Sequence, residues 1–359
     1  MAGGTGGHVF PAIAVAKHLR EQGWNVSWLG TADHMEARIV PENGFDIDFI
    51  KVSGVRRNGL LGKIKAPFKV LSAVMQARKI MKRLKPDAVL GMGGYASGPG
   101  GLAAKLCNIP LIIHEQNAAP GLTNRVLSRI ASRVCTGFPG AFPKIKNAAY
   151  AGNPVRPEIA AMHDASLPEP DSSRPLRVLV IGGSQGAQAL NLGLPAIFKE
   201  AGDIEIRHQA GKGKAEHTKA VYDALSLTRA PEISEFINDM AGAYAWADII
   251  VCRAGASTVA EIAAARRMAI FVPLPTAVDD HQTKNARFLE SAGGAFVIPQ
   301  SELGGGKLLE LLKRASSDRD FVRKAQQASG DAAKLNATSE VAAICGELAD
   351  AYRSKRNLG

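Results

Sequence analysis

Two glycine-rich turns and a third loop of small residues carry most of the residues in this chain that can do chemistry. The first, Gly3-Gly4-Thr5-Gly6-Gly7, leads into His8-Val9-Phe10-Pro11. Bare amides at a helix start suit an anionic or hydroxyl-bearing ligand, and Pro11 is expected in the first helical turn, where a missing N–H costs nothing. His8 at the positive helix end is kept neutral and can act as a base; the plainer reading is a capping or packing histidine. The second turn, Gly182-Gly183-Ser184-Gln185-Gly186, formally matches G-x-S-x-G. Asp239 or Asp248 and then His281 follow in triad order, so a nucleophilic Ser184 stands beside a phosphate- or sugar-binding turn that needs the same small residues. The third, Arg253-Ala254-Gly255-Ala256-Ser257-Thr258, opens a helix carrying Glu261. There the amides can receive a pyrophosphate and stabilise it as it leaves. Glu261 can accept hydrogen bonds from two ribose hydroxyls, or be only a favourable acid in a first helical turn. Loop, helix start and acid together read as a sugar-nucleotide site.

Competing chemistries fail on spacing. A nicotinamide fingerprint through Gly4 and Gly6 needs glycine at position 9, which is Val9, and no acid ends the second strand run at Leu29-Gly30. No Lys-Ser or Lys-Thr pair follows a glycine loop, which removes a P-loop hydrolase. His114-Glu115 has no second histidine at position 118, so no helical zinc motif is present.

The elements that must position these loops alternate between short apolar runs and helical patterns, the pattern of an α/β protein with parallel sheets. Strands are predicted at 25–30, 45–52, 88–93, 111–115 and 133–138, then at 177–183, 204–209, 233–237, 248–253, 269–273 and 295–299. Between the sets lies a polar stretch with Pro154, Pro157, Pro168, Pro170 and Pro175. Two Rossmann-like domains facing across a cleft are expected, 1–156 and 157–336, with 337–359 a terminal helix. A glycine turn of the first kind should follow a buried strand, yet only Met1 and Ala2 precede Gly3. Two neighbouring strands are therefore expected to lack a partner between them.

With 359 residues, 46% hydrophobic and 21% charged, the chain has ample core and is not disordered. Cys107, Cys135, Cys252 and Cys345 are widely spaced without a CxxC pair, as expected of buried thiols in a reducing cytoplasm. No run reaches the ~18 apolar residues of a membrane span, and no signal peptide opens the chain. The net charge is +11, and residues 51–85 contain eleven Lys and Arg and no acid. So local an excess calls for an anionic partner. Ile64, Phe68, Leu71 and Met75 recur at helical spacing, flanked by Lys63, Lys65 and Lys69. Such a stripe is normally core, but these flanks suit a helix resting on anionic phospholipid. Nucleic acid is disfavoured, since the block has one aromatic residue and no recognisable binding motif.

Taken together, Gly3–Pro11, Gly91–Gly101, His114–Asn117, Gly152–Arg156, Gly182–Ala187 and Ala263–Ala265 after Glu261 resemble the MurG family of bacterial N-acetylglucosamine transferases. The resemblance spans nearly the whole chain. It implies a GT-B fold, with an N-terminal acceptor- and membrane-binding domain, a C-terminal UDP-sugar domain and a last helix, about 338–352, returning to the first. It implies inverting transfer of N-acetylglucosamine from UDP-N-acetylglucosamine to the 4-hydroxyl of the muramyl sugar of lipid I, giving lipid II for the cell wall. The setting would be the cytoplasmic face of the inner membrane, peripherally attached, with cell-wall synthesis proteins as possible partners.

By similarity His8 is the base, and Glu115 lies in an acceptor-side motif and is placed with the catalytic groups. Thr5, Gly6, Gly7, Asn117, Arg156, Ser184, Ile237, Ala256, Ser257, Thr258, Val259, Ala260, Glu261 and Gln282 bind the donor, and Ser184 becomes a ligand rather than an attacker. Lys63, Ile64, Lys65, Phe68, Lys69 and Leu71 form the membrane contact. Neither cofactor nor metal is expected, since helix termini can stabilise departing UDP. Two departures matter: His281 stands where some members have glutamine, placing sugar recognition on Gln282, and Val74 stands where an aromatic anchor is expected. The alternatives are another GT-B UDP-sugar transferase or a UDP-N-acetylglucosamine 2-epimerase, a serine hydrolase using Ser184, and a non-catalytic membrane adaptor.

Overall fold

A computed structural model describes residues 1–52, 60–166, 173–183 and 185–357, and of residues 60–66 the backbone only. The chain divides into two compact units, Met1–Val155 with Leu335–Gly359, and Arg156–Lys334.

Six strands build the first unit among the described residues: β1 (Ser27–Gly30), β2 (Asp46–Phe49), β3 (Val89–Gly91), β4 (Leu111–Glu115), β5 (Arg133–Thr136) and β6 (Ala148–Tyr150). They form two parallel sheets, β1-β2 and β3-β4-β5-β6. The expected break is visible, and Met1 partly bridges it. Its amino group donates to the Leu90 carbonyl (2.8 Å), its carbonyl accepts from Met92 N (2.8 Å), and the Trp28 indole donates to Ala2 O (3.0 Å). Strand β4 is buried at every position, as a parallel strand covered on both faces must be. That burial extends to the polar His114 and Glu115 at its carboxyl end. Strand β6 lacked any apolar signal, being Ala-Ala-Tyr at the sheet edge.

Helix Gly6–Glu21 starts one residue after Thr5, which places Pro11 inside the helix rather than in its first turn. The missing N–H is the one that would have reached the Gly7 carbonyl. The terminal helix Ala337–Asn357 packs on this unit. Val341, Ala342 and Cys345 close a core cluster with Val15, Ile112 and Cys135.

The second unit contains β7 (Leu176–Ile181), β8 (Ile204–Gln209), β9 (Glu232–Ser234), β10 (Ile249–Cys252), β11 (Met268–Phe271) and β12 (Ala295–Val297). All are parallel, in the order β9-β8-β7-β10-β11-β12. Counted within the unit this is 3-2-1-4-5-6, the doubly wound Rossmann order. The strand order reverses between β7 and β10, so the loops after these strands flank the switch point where such sheets bind ligands.

A buried polar contact fixes β8 beneath that point. His208 Nε2 donates to Asn191 Oδ1 (3.0 Å), and the Tyr222 hydroxyl donates to Nδ1 (2.9 Å). Burial pushes the imidazole down to about 4 from its ordinary 6.5. Between those values the unfolded chain binds a proton that the folded one refuses, so acidification costs stability there and has no such effect above pH 6.5. Lowering the pH from 6.5 to 5 should destabilise the unit by roughly 2 kcal/mol through this group. Denaturant unfolding across that range checks it: the pH slope should flatten in His208→Gln.

Candidate functional site

In the first unit Thr5 is the residue before the helix, in extended conformation, and the Gly6, Gly7 and His8 amides form the helix start. The Thr5 hydroxyl lies 3.3 Å from His8 Nδ1. With the proton on Nδ1 donated to Thr5, Nε2 carries the lone pair a base needs. The ring lies against Gly93, where a Cβ would come within 2.7 Å of it. At Gly94, with φ +86°, a Cβ would lie 2.1 Å from the Gly3 carbonyl oxygen. Glycine at 94 lets two backbones touch and glycine at 93 leaves room for the ring, which together set where His8 points.

Glu115, 2% exposed, accepts from the Asn117 backbone N–H (3.0 Å) and Nδ2 (3.2 Å), Gly121 N (3.1 Å) and Asn124 Nδ2 (2.9 Å). Four donors occupy what a carboxylate can accept. In this arrangement the Glu115 carboxylate shapes the turn that presents Asn117. His114 bonds the Gly152 carbonyl (2.8 Å) and Asn153 donates to Gln116 O (3.0 Å), tying together two of the sequence motifs.

In the second unit helix Ala256–Ala264 begins after Gly255. The amides of Ala256, Ser257 and Thr258 have no carbonyl a turn earlier to bond, which leaves them for a ligand. Val259 and Ala260 continue the helix, and Val259 is buried. Glu261 lies in the second turn, so the first-turn-acid reading is set aside. Its carboxylate is held by Arg156, Nε to Oε1 at 2.9 Å and Nη2 to Oε2 at 3.0 Å, and by the Tyr244 hydroxyl at 3.2 Å. For Arg156, burial opposes the charge and the Glu261 carboxylate outweighs it, so the guanidinium is held above its ordinary value. Burial, reinforced by Glu261, keeps the Tyr244 hydroxyl protonated and able to donate.

Gln282 Oε1 accepts from Ala254 N (3.3 Å) and Leu274 N (3.0 Å), and Asn285 Nδ2 donates to Ala254 O (3.1 Å). The loop before the helix is thus clamped from the helix His281–Ser291, and Gln282 keeps only its NH2 for a sugar. Ile237 is half-buried in the segment between β9 and helix Met240–Trp246. Ser184 lies outside the described residues. Its neighbours do not: Gln209 Oε1 accepts from Gly183 N (3.0 Å), and its Nε2 donates to the carbonyls of Gly183 (3.0 Å) and Glu235 (2.9 Å).

The glycosyltransferase family 28 N-terminal domain matches residues 1–136, and the family's C-terminal domain matches residues 177–343. The chain belongs to glycosyltransferase family 28. A Shewanella sediminis relative, a UDP-N-acetylglucosamine–N-acetylmuramyl-(pentapeptide) pyrophosphoryl-undecaprenol N-acetylglucosamine transferase, is 51% identical over 97% of this chain and 96% of its own. The crystal structure of Acinetobacter baumannii MurG is 42% identical with a TM-score of 0.81, covering 97% of this chain and 98% of that one. The calicheamicin glycosyltransferase CalG4, at 16% identity, covers 97% of each chain with a TM-score of 0.66, a likeness of fold alone.

Within this family 28 chain, Tyr244, Gln209 and Asn285 escaped the sequence reading. Only Gln209 left a signal there, a polar residue ending a buried strand beside the switch point. On the helix Leu60–Leu84, Phe68 (73% exposed), Leu71 (59%) and Met75 (48%) share an open face with the exposed Lys69. The side chains of Lys63, Ile64 and Lys65 lie outside the described residues. Val74 faces inward with Ala73, Ala77 and Met81, so the expected aromatic-anchor position is a core position. Among the described residues no helix is long and apolar enough to cross a membrane.

Proposed function

We propose that the chain transfers N-acetylglucosamine from UDP-N-acetylglucosamine to an undecaprenyl-pyrophosphoryl-linked N-acetylmuramyl pentapeptide, with inversion. The observation that carries this reading is the switch point of the second unit. Two loops of small residues flank it, one leading to an open helix start and to Glu261. That is the shape of a nucleoside-diphosphate sugar site, and the identity to the Shewanella sediminis transferase supports the acceptor.

His8 takes the proton from the acceptor 4-hydroxyl as its oxygen bonds to the anomeric carbon. The bond from that carbon to the β-phosphate oxygen breaks, and UDP leaves as an anion. The amides of Ala256, Ser257 and Thr258 stabilise the departing charge, and Glu261 accepts from the ribose hydroxyls. Thr5, Gly6, Gly7, Asn117, Arg156, Ser184, Ile237, Val259, Ala260 and Gln282 complete the donor contacts in this reading. Transfer of labelled N-acetylglucosamine to a short-chain lipid-linked acceptor tests it. Donor binding without transfer would sink the acceptor assignment and favour another UDP-sugar enzyme of this fold, including a 2-epimerase.

The exposed apolar face of the helix Leu60–Leu84 is read as a peripheral seat on anionic lipid at the cytoplasmic side of the membrane. Besides Lys69, Lys79 and Lys82 are exposed on this helix, which contains no acid. At about 1 kcal/mol per basic residue, the paired reversal Lys69→Glu and Lys79→Glu should weaken vesicle binding at least tenfold. Flotation with phosphatidylglycerol vesicles checks this. Unchanged binding in both that variant and Phe68→Ser/Leu71→Ser would remove the membrane reading.

A further inference from the structure

The turn that carries Thr5 and His8 is held by a carboxylate from a different element. Glu36 opens the helix Glu36–Glu42 and is fully buried. Its Oε2 accepts from Gly4 N (2.9 Å), and Oε1 accepts from Thr31 N (3.1 Å) and the Thr31 hydroxyl (2.6 Å). Two glycines make room for it. A Cβ on Gly3 would lie 2.3 Å from Oε1, and one on Gly30 would lie 3.0 Å from Cγ. Burial favours the neutral acid, but the Thr31 and Gly4 hydrogen bonds outweigh it and hold the group below its ordinary value. Three donors converge on one side chain, a task for a group that carries no proton of its own.

The contacts continue outward. Since the Thr31 hydroxyl gives its proton to Glu36, His34 Nδ1 must donate in its 2.9 Å contact with Thr31 Oγ1. The His34 ring meets Tyr95 at a centroid distance of 5.0 Å, and Tyr95 lies beside Gly4. Gly4 is thereby fixed by Glu36 on one side and bordered by Tyr95 on another.

We infer that Glu36 is the positioning residue of the transfer site: through Gly4 N it sets the turn that aims His8. The inference rests on the proposed transfer reaction, in which His8 is the base. Glu36→Gln keeps the size but turns an NH2 toward a donor it cannot satisfy. A base misplaced by about 1 Å can cost ~100-fold, so kcat should fall roughly 10- to 100-fold. Donor KM should rise by much less than kcat falls, because the helix start at Ala256 and the Glu261 carboxylate of the second unit are untouched. Glu36→Asp, one methylene short, should not rescue. Amide exchange of residues 3–9 should accelerate in both variants, a readout that needs no activity.

A Glu36→Gln protein with normal kcat per folded molecule, or unchanged exchange at residues 3–9, overturns the inference. So does a loss explained wholly by a smaller folded fraction, with kcat and KM otherwise intact. If the unaltered protein transfers no sugar, the proposed reaction fails instead, and the exchange experiment alone decides whether Glu36 holds the turn.

Discussion

His8→Ala should lower kcat by roughly 10²- to 10⁴-fold, the contribution of a positioned general base. Affinity for UDP-N-acetylglucosamine should change little, since the helix start and acid that receive the nucleotide belong to the other unit. The split is the informative part. A uniform fall in kcat and donor affinity would mean that His8 packs against Gly93 and caps the helix without exchanging a proton, the plainer of the two sequence readings. Steady-state kinetics with calorimetric UDP binding separates the two. Thr5→Val makes a finer test: loss of the 3.3 Å contact to Nδ1 frees the ring's orientation, and kcat should fall by less than in His8→Ala.

Glu261→Ala should act in the opposite way. It removes the acceptor for two ribose hydroxyls, and hydrogen bonds to a charged group contribute about 1.5–3 kcal/mol, so donor affinity should fall roughly tenfold or more. At saturating donor kcat should hold. The same substitution leaves Arg156 and Tyr244 without their shared carboxylate. Arg156 is one-third exposed in its side chain and water can solvate it, whereas Tyr244 is buried and an orphaned hydroxyl there costs about 1–3 kcal/mol. A Tyr244→Phe/Glu261→Ala double variant should therefore regain stability without regaining affinity. If donor affinity survives Glu261→Ala, the carboxylate serves Arg156 and Tyr244 only.

The alternation of apolar runs and glycine turns made the parallel sheets and both switch-point loops of the second unit legible, because buried parallel strands leave continuous Val, Ile and Leu. Strand β6 was not, since three residues at a sheet edge bury too little to leave a pattern. Helical spacing joined Phe68, Leu71 and Met75 correctly into one face, but could not tell that the adjacent Val74 turns inward. Least visible were the side chains that hold the site in shape. Glu36, Gln209 and Tyr244 reach partners 32, 26 and 17 residues away, and only packing reveals that such partners meet. Glu115 was recognisable from its motif, but the four local donors on its carboxylate were not.

The first unit is assembled from both ends of the sequence, with the second inserted between Val155 and Leu335. During synthesis, at ~5–20 residues per second, the inserted unit is fully translated before the helix that closes the Val15–Ile112–Cys135 cluster of its host. The half bearing His8 is thus the last to mature, and for that interval an apolar seam on it has only chaperones or misfolded neighbours for company. Released chains truncated before residue 337 should resist protease in the inserted unit and be cut in the host.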